Sequence, residues 1–160
     1  MNIFILDENP VPCAVYHADK HVVKMILEHA QLMCTAHHIH PNKHEDYEIP
    51  YKATHYNHPC AKWVRESKQN YQWLYTLTHE LNEEYMYRYN KNNPHKSWSS
   101  VENLPYPDIP DIGITPFALA MPDECKMDNA VDSYRNYYNT HKQHLLKWRD
   151  RATPKWIKLN

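Results

Sequence analysis

The sequence predicts an all-α fold: one compact domain of about three long helices joined by long, proline-punctuated loops. Three observations lead there. Apolar residues recur with a helical period in three stretches. The only glycine is Gly113, which leaves little material for the positive-φ turns of hairpins and all-β architectures. At 160 residues the chain is long enough for a single normal core, so residues 1–160 are read as one domain.

The elements follow in order. "NIFIL", residues 2–6, is apolar and brief, and is expected buried as a short strand or an extended arm. "DENPVPC" breaks it, and a helix is predicted from Pro12 to about His38, with Val15, Val22, Ile26, Ala30, Met33 and Cys34 in period. Residues His40 to Pro59 show no periodicity and hold three prolines, which predicts a long loop. Pro59 suits a first helical position, and a second helix is predicted from there to about Tyr89. Trp63, Asn70, Trp73 or Leu74, Leu77, Leu81 and Tyr85 fall along its inner face. Ser99 and Glu102 have capping-box spacing. "LPYPDIPDIGITP" reads as coil ending in Thr115-Pro116, a start signal for a short helix over "FALAM". A last helix is predicted over Asn129–Trp148. No repeat or low-complexity tract interrupts this pattern.

Composition narrows the function. No phosphate-binding glycine loop and no dinucleotide fingerprint is present, and no cofactor is expected. Thirteen tyrosines and five tryptophans against two phenylalanines give aromatic surface with polar tips. The net charge of −1 with histidines neutral gives weak support for nonspecific duplex binding, though a local basic face is compatible with it. Cys13, Cys34, Cys60 and Cys125 form no C-x-x-C pair and read as reduced thiols. No signal segment or membrane span is evident, so a cytoplasmic monomer is expected.

The stretch "YHADKHVVKMILEHAQLMCTAHH", Tyr16 to His38, carries the chemistry. On one continuous helix His21 lies ~40° and Glu28 ~20° from His17, a single ionisable stripe. Glu28 would sit roughly 16 Å along the axis from His17 and roughly 10 Å from His21. The two histidines have chelating spacing, but Glu28 is too far to be their third ligand. His55 and His58 of "THYNHP" would have to complete a site, and no zinc-family spacing links them. No metal is therefore assigned. The bland alternative is a helix face with local pairs such as Lys24–Glu28.

"ADKHVVKMILE", Ala18 to Glu28, resembles the N-terminal helix motif of the phage pyrimidine-dimer DNA glycosylases with abasic-site lyase activity, the endonuclease V type of phage enzyme. The motif is A-D-x-H, two apolar residues, then a glutamate seven positions after the histidine; Ala18, Asp19, His21 and Glu28 match it. "RATPKWIK" is similar to that family's arginine-proline-tryptophan tail. The chain also looks like uncharacterised small phage proteins with "DKHVVKM", "NHPC" and "MPDE" stretches. The resemblance implies a small helical enzyme of the host-cell cytoplasm that excises a base from damaged DNA. It makes Glu28 the catalytic acid–base, with His21, two turns away, as a contact for phosphate or the substrate base. It also implies an α-amine nucleophile, at Asn2 if Met1 is removed. An α-amine suits attack at the sugar because its ordinary pKa of about 7.7–8.0 leaves free base at neutral pH. Lys20 and Lys24 are the runner-up amines, and Asp19 accompanies them on the substrate side.

Substrate grip is expected from His55 and His58 at the mouth of the second helix. Arg65, Arg88 and Arg151 are candidates for phosphate contacts, and Trp63 and Trp148 for stacking against a base. Aromatics at helical spacing are more often core than site. Two other readings stay open: a hydrolase of a small nucleotide or modified nucleoside, and a nonenzymatic module with a pH-sensitive histidine surface.

Overall fold

The computed structural model describes residues 1–160 and contains helices and no strand. Three helices are long: α2 (Asp19–Ile39), α4 (Lys68–Arg88) and α6 (Ala130–His141). Three are short: α1 (Pro10–Tyr16), α3 (Pro59–Glu66) and α5 (Lys96–Val101). Single 3-10 turns occupy Asp123–Cys125 and Gln143–Leu145. The centre is the pairing of α2 with α4. Helix α1 packs on α4, while α3 packs against both and α5 chiefly against α2. "NIFIL" is an extended arm whose Ile3, Phe4, Ile5 and Leu6 are buried in the core. No helix is long and apolar enough to cross a membrane.

The first expected helix is two. The chain is extended at His17 (ψ 133°) and Ala18 (ψ 154°), between α1 and α2. The break is held by a residue far away in sequence. Arg88 at the end of α4 is fully buried, and donates from Nη2 to the Val15 carbonyl (2.8 Å) and from Nη1 to the His17 carbonyl (2.7 Å). Those are carbonyls that a continuous helix would have used internally. Nη1 also meets Asp19 Oδ1 (3.1 Å), and Nε meets Glu84 Oε1 (3.0 Å). Glu84 in turn holds Arg151 through Oε2 (2.7 Å), fastening the C-terminal tail. Burial works against the Glu84 charge, but the hydrogen bonds of Arg151 and Arg88 win and hold its pKa below the usual value.

The second expected helix also breaks, at Ser67, into α3 and α4. The buried Ser67 is extended (φ −151°) and its Oγ caps α4 by accepting from Asn70 N (3.0 Å). Asn70 Nδ2 then satisfies the freed Trp63 carbonyl (2.8 Å). Helix α5 starts earlier than Ser99: His95 Nδ1 caps it at Ser97 N (3.1 Å), and Glu102 stands at its C-cap rather than in a capping box. The last helix ends at His141, short of Trp148.

"FALAM" is coil, not helix. Thr115 does not cap a helix; its Oγ1 accepts from Asn70 Nδ2 (2.7 Å) and donates to Glu66 Oε2 (2.6 Å). Phe117 packs against Trp63 and Trp73. Farther on, Tyr134 of α6 takes up the backbone of Ala118 and Ala120. Side-chain partners for this backbone and a half-buried apolar run outweigh local helix propensity. The 40–58 segment is coil as expected, but fixed by Thr35–Thr54 and Tyr51–Ser97 hydrogen bonds and by Tyr47, which meets His37 Nδ1 (2.8 Å).

Two outcomes follow for stability. Arg88→Ala strands Glu84, Asp19 and two carbonyls, and is expected to cost about 3–5 kcal/mol, read by urea denaturation. Burial, the main cause in each case, lowers His17 and His37 to about 4 and His21 to about 3, and holds His29 well below its ordinary value. Unfolded histidines protonate from about pH 6.5 downward while the folded ones do not. The histidine contribution to stability is therefore constant above about pH 6.5 and falls toward about pH 4, by up to roughly 1.4 kcal/mol per pH unit per histidine. Thermal melts across that range check the sign.

Candidate active site

The start of the chain sits in a pocket of about 380 Å³ formed by the arm, α2, the start of α3, residues Leu119 to Met121, and the end of α6. The Met1 α-amine lies 3.2 Å from Glu28 Oε1, and Glu28 is nearly buried at 12 % side-chain exposure. Lys24 Nζ reaches the other carboxylate oxygen from solvent at 3.8 Å. Lys142 lines the same pocket, its Nζ 5.0 Å from the Tyr137 ring centroid and 5.9 Å from that of Phe4. Three ammonium groups and one carboxylate thus line one cavity. A local positive excess exists in a chain whose net charge is −1.

Asn2 anchors the arm next to the amine. Its side chain is buried: Nδ2 donates to the Ala120 carbonyl (2.8 Å), and Oδ1 accepts from Ile3 N (2.8 Å) and lies 3.1 Å from the Tyr134 hydroxyl. Cys60 Sγ approaches the same oxygen at 3.6 Å. With Met1 in place, the amine facing Glu28 is that of Met1.

His21 and Glu28 share one face of α2 and both line the pocket, as their spacing predicted. His17 does not join them, because it lies in the break and is fully buried, with Nδ1 2.8 Å from the Cys13 carbonyl. His21 Nδ1 meets the Tyr138 hydroxyl (2.7 Å), and its ring stacks on Phe4 at 4.5 Å. Burial first, then the nearby His17, Lys142 and Lys24 charges, lower its pKa to about 3. A neutral imidazole cannot serve as a cationic phosphate contact, but it can pass or hold a proton. His58 also lines the pocket. Its Nδ1 accepts from Cys60 N (3.0 Å) as the N-cap of α3, which leaves the ring proton on Nε2. Burial and then the α-amine lower its pKa too.

The other expected contacts have different tasks. Arg88 is inside the fold and cannot meet a phosphate; Asp19 and Arg151 belong to its network, and Arg151 also lies over Tyr87 at 4.2 Å. Trp63 is core, donating to the Thr115 carbonyl (3.1 Å). Trp148 fastens α1 by donating to the Tyr16 carbonyl (2.9 Å). Lys20, His55 and Arg65 lie outside the pocket. No group of three His, Cys, Asp or Glu side chains is placed to hold a metal ion. Lys142 was missed by the sequence reading. It follows the end of α6, where periodicity carries no signal, and only the fold brings it into the pocket with Glu28.

Comparisons with protein-family models, with curated proteins and with solved structures give no significant match. The site therefore rests on its own geometry: a positioned amine, a shielded carboxylate in contact with it, neutral imidazoles, and lysines at the rim. Asn2→Ala removes the anchor of the arm and leaves the Ala120 carbonyl and the buried Ile3 N–H without their side-chain partner. The expected cost is about 1–3 kcal/mol by chemical denaturation.

Proposed function

We propose that this protein is a base-excision enzyme that cleaves an N-glycosidic bond in damaged or modified DNA and then acts as an abasic-site lyase, within the cytoplasm. The observation that carries this reading is the 3.2 Å contact between the Met1 α-amine and Glu28 inside a pocket. It agrees with the resemblance of Ala18 to Glu28 to the motif of the phage pyrimidine-dimer glycosylases.

In this reading the unprotonated amine attacks the sugar C1′ as the base departs with the glycosidic bond electrons, and a proton is delivered to the base. Loss of the ring-oxygen bond leaves an imine between Met1 N and C1′. Glu28 accepts a proton from the attacking nitrogen and returns one to the opening ring oxygen. Removal of a C2′ proton then expels the 3′-phosphate by β-elimination, and water releases the sugar fragment. Lys24 and Lys142 balance the phosphate charge at the rim, and the Phe4 and Tyr137 rings offer apolar wall to the extruded residue. A hydrolase of a small nucleotide is the second reading, favoured by the near-neutral net charge.

Borohydride trapping separates the two. Incubation with DNA carrying an abasic site or a cyclobutane dimer, followed by reduction, is expected to give a covalent adduct that maps to Met1. Glu28→Gln is expected to lower turnover by about 10²–10⁴-fold with the fold retained. Absence of any adduct or released base would overturn the glycosylase–lyase reading and direct attention to free nucleotides.

A further inference from the structure

A second cavity, of about 240 Å³, shares no lining residue with the candidate active site. Three of its five lining residues are tyrosines. Tyr71 and Tyr75 stand one turn apart on α4, and Tyr106 comes from the coil after α5, with Leu104 and Glu102 completing the wall. The Tyr71 and Tyr106 rings are 5.9 Å apart and inclined at 58°. Two of the hydroxyls are already engaged: Tyr75 donates to the Glu102 carbonyl (2.8 Å), and Tyr71 meets His37 Nε2 (2.7 Å). With those polar tips occupied, Tyr71 and Tyr75 offer the cavity chiefly their aromatic surface.

Glu102 adds a charge. Glu102 lines the cavity, and its carboxylate makes no ion pair or hydrogen bond within the chain. Burial and then this carboxylate push the Tyr75 hydroxyl pKa up. Tyr106 already carries a cation, Lys68 Nζ, 4.7 Å from its centroid, yet Lys68 does not line the cavity. Ring faces and an unpaired carboxylate attract a cation and repel an anion. Inclined rings do not make the parallel slot that a flat nucleobase needs for stacking on two faces.

We infer that Tyr71, Tyr75, Tyr106 and Glu102 form a binding site for a small organic ammonium group of the quaternary or methylated-amine class. The ligand's positive charge lies against the tyrosine faces, its methyl groups against Leu104, and Glu102 supplies the counter-charge. The site is independent of the amine–carboxylate chemistry at the start of the chain.

The test is a titration of the full-length protein with tetramethylammonium and with choline at constant ionic strength, following tyrosine ring resonances by NMR. The uncharged carbon isostere of choline, dimethylbutanol, and adenosine serve as comparison ligands. Saturable shifts confined to the three tyrosines are expected for both cations, with the isostere and adenosine at least about tenfold weaker. Glu102→Gln is expected to weaken choline about tenfold. Tyr106→Leu, at a half-exposed ring outside the core, is expected to abolish binding while circular dichroism stays unchanged. Equal affinity for the isostere, binding indifferent to Glu102→Gln, adenosine displacing choline from the same rings, or no saturable shift would each overturn the assignment.

Discussion

The buried guanidinium of Arg88 is the constraint on which the rest of the arrangement depends. A buried charge is tolerated only when it is paired and its donors are satisfied. Here Asp19, Glu84 and the carbonyls of Val15 and His17 meet that demand. Satisfying it fixes where α1 stops and where α2 starts, and ties α4 and the tail to the same point. The direction of α2 follows from this, and with it the presentation of His21 and Glu28 to the arm.

The arm completes the site from the other side. Four apolar residues sink into the core, and the Asn2 amide docks against α6 and the coil at Ala120. An amine that would otherwise move freely in water is thereby held against a shielded carboxylate. Ordering a terminal segment in this way costs conformational entropy, and the burial of Ile3, Phe4, Ile5 and Leu6 offsets it. Lys24 and Lys142 then add positive charge to a cavity lined by both apolar and polar side chains.

The sequence made much of this legible. Periodicity located the long helices, the apolar "NIFIL" announced a buried arm, and the spacing of His21 and Glu28 placed both on one face of α2. Two kinds of information were out of reach. The helix break at His17 depends on Arg88, distant in the chain, while the one at Ser67 rests on the Ser67 cap and the nearby Asn70, and the apolar periodicity runs through both unchanged. The extended run at Phe117 to Met121 is decided by Trp63, Trp73 and Tyr134 rather than by its own helix-favouring residues. Charge was misleading for a related reason: nothing local separates an arginine that reaches solvent from Arg88, which ends inside the protein. Lys142 shows the converse, a surface-type residue that tertiary structure turns into part of the pocket.

The connections have a bearing on the unfolded chain. Twelve prolines and one glycine narrow the conformations open to this polypeptide before it folds. Even its left-handed positions are filled mostly by His55, Asn90 and Asp150, with Gly113 the lone exception. A denatured ensemble already restricted in φ has less freedom to surrender, so long coil segments can be held in one path by a few side-chain hydrogen bonds, without a sheet to pair them.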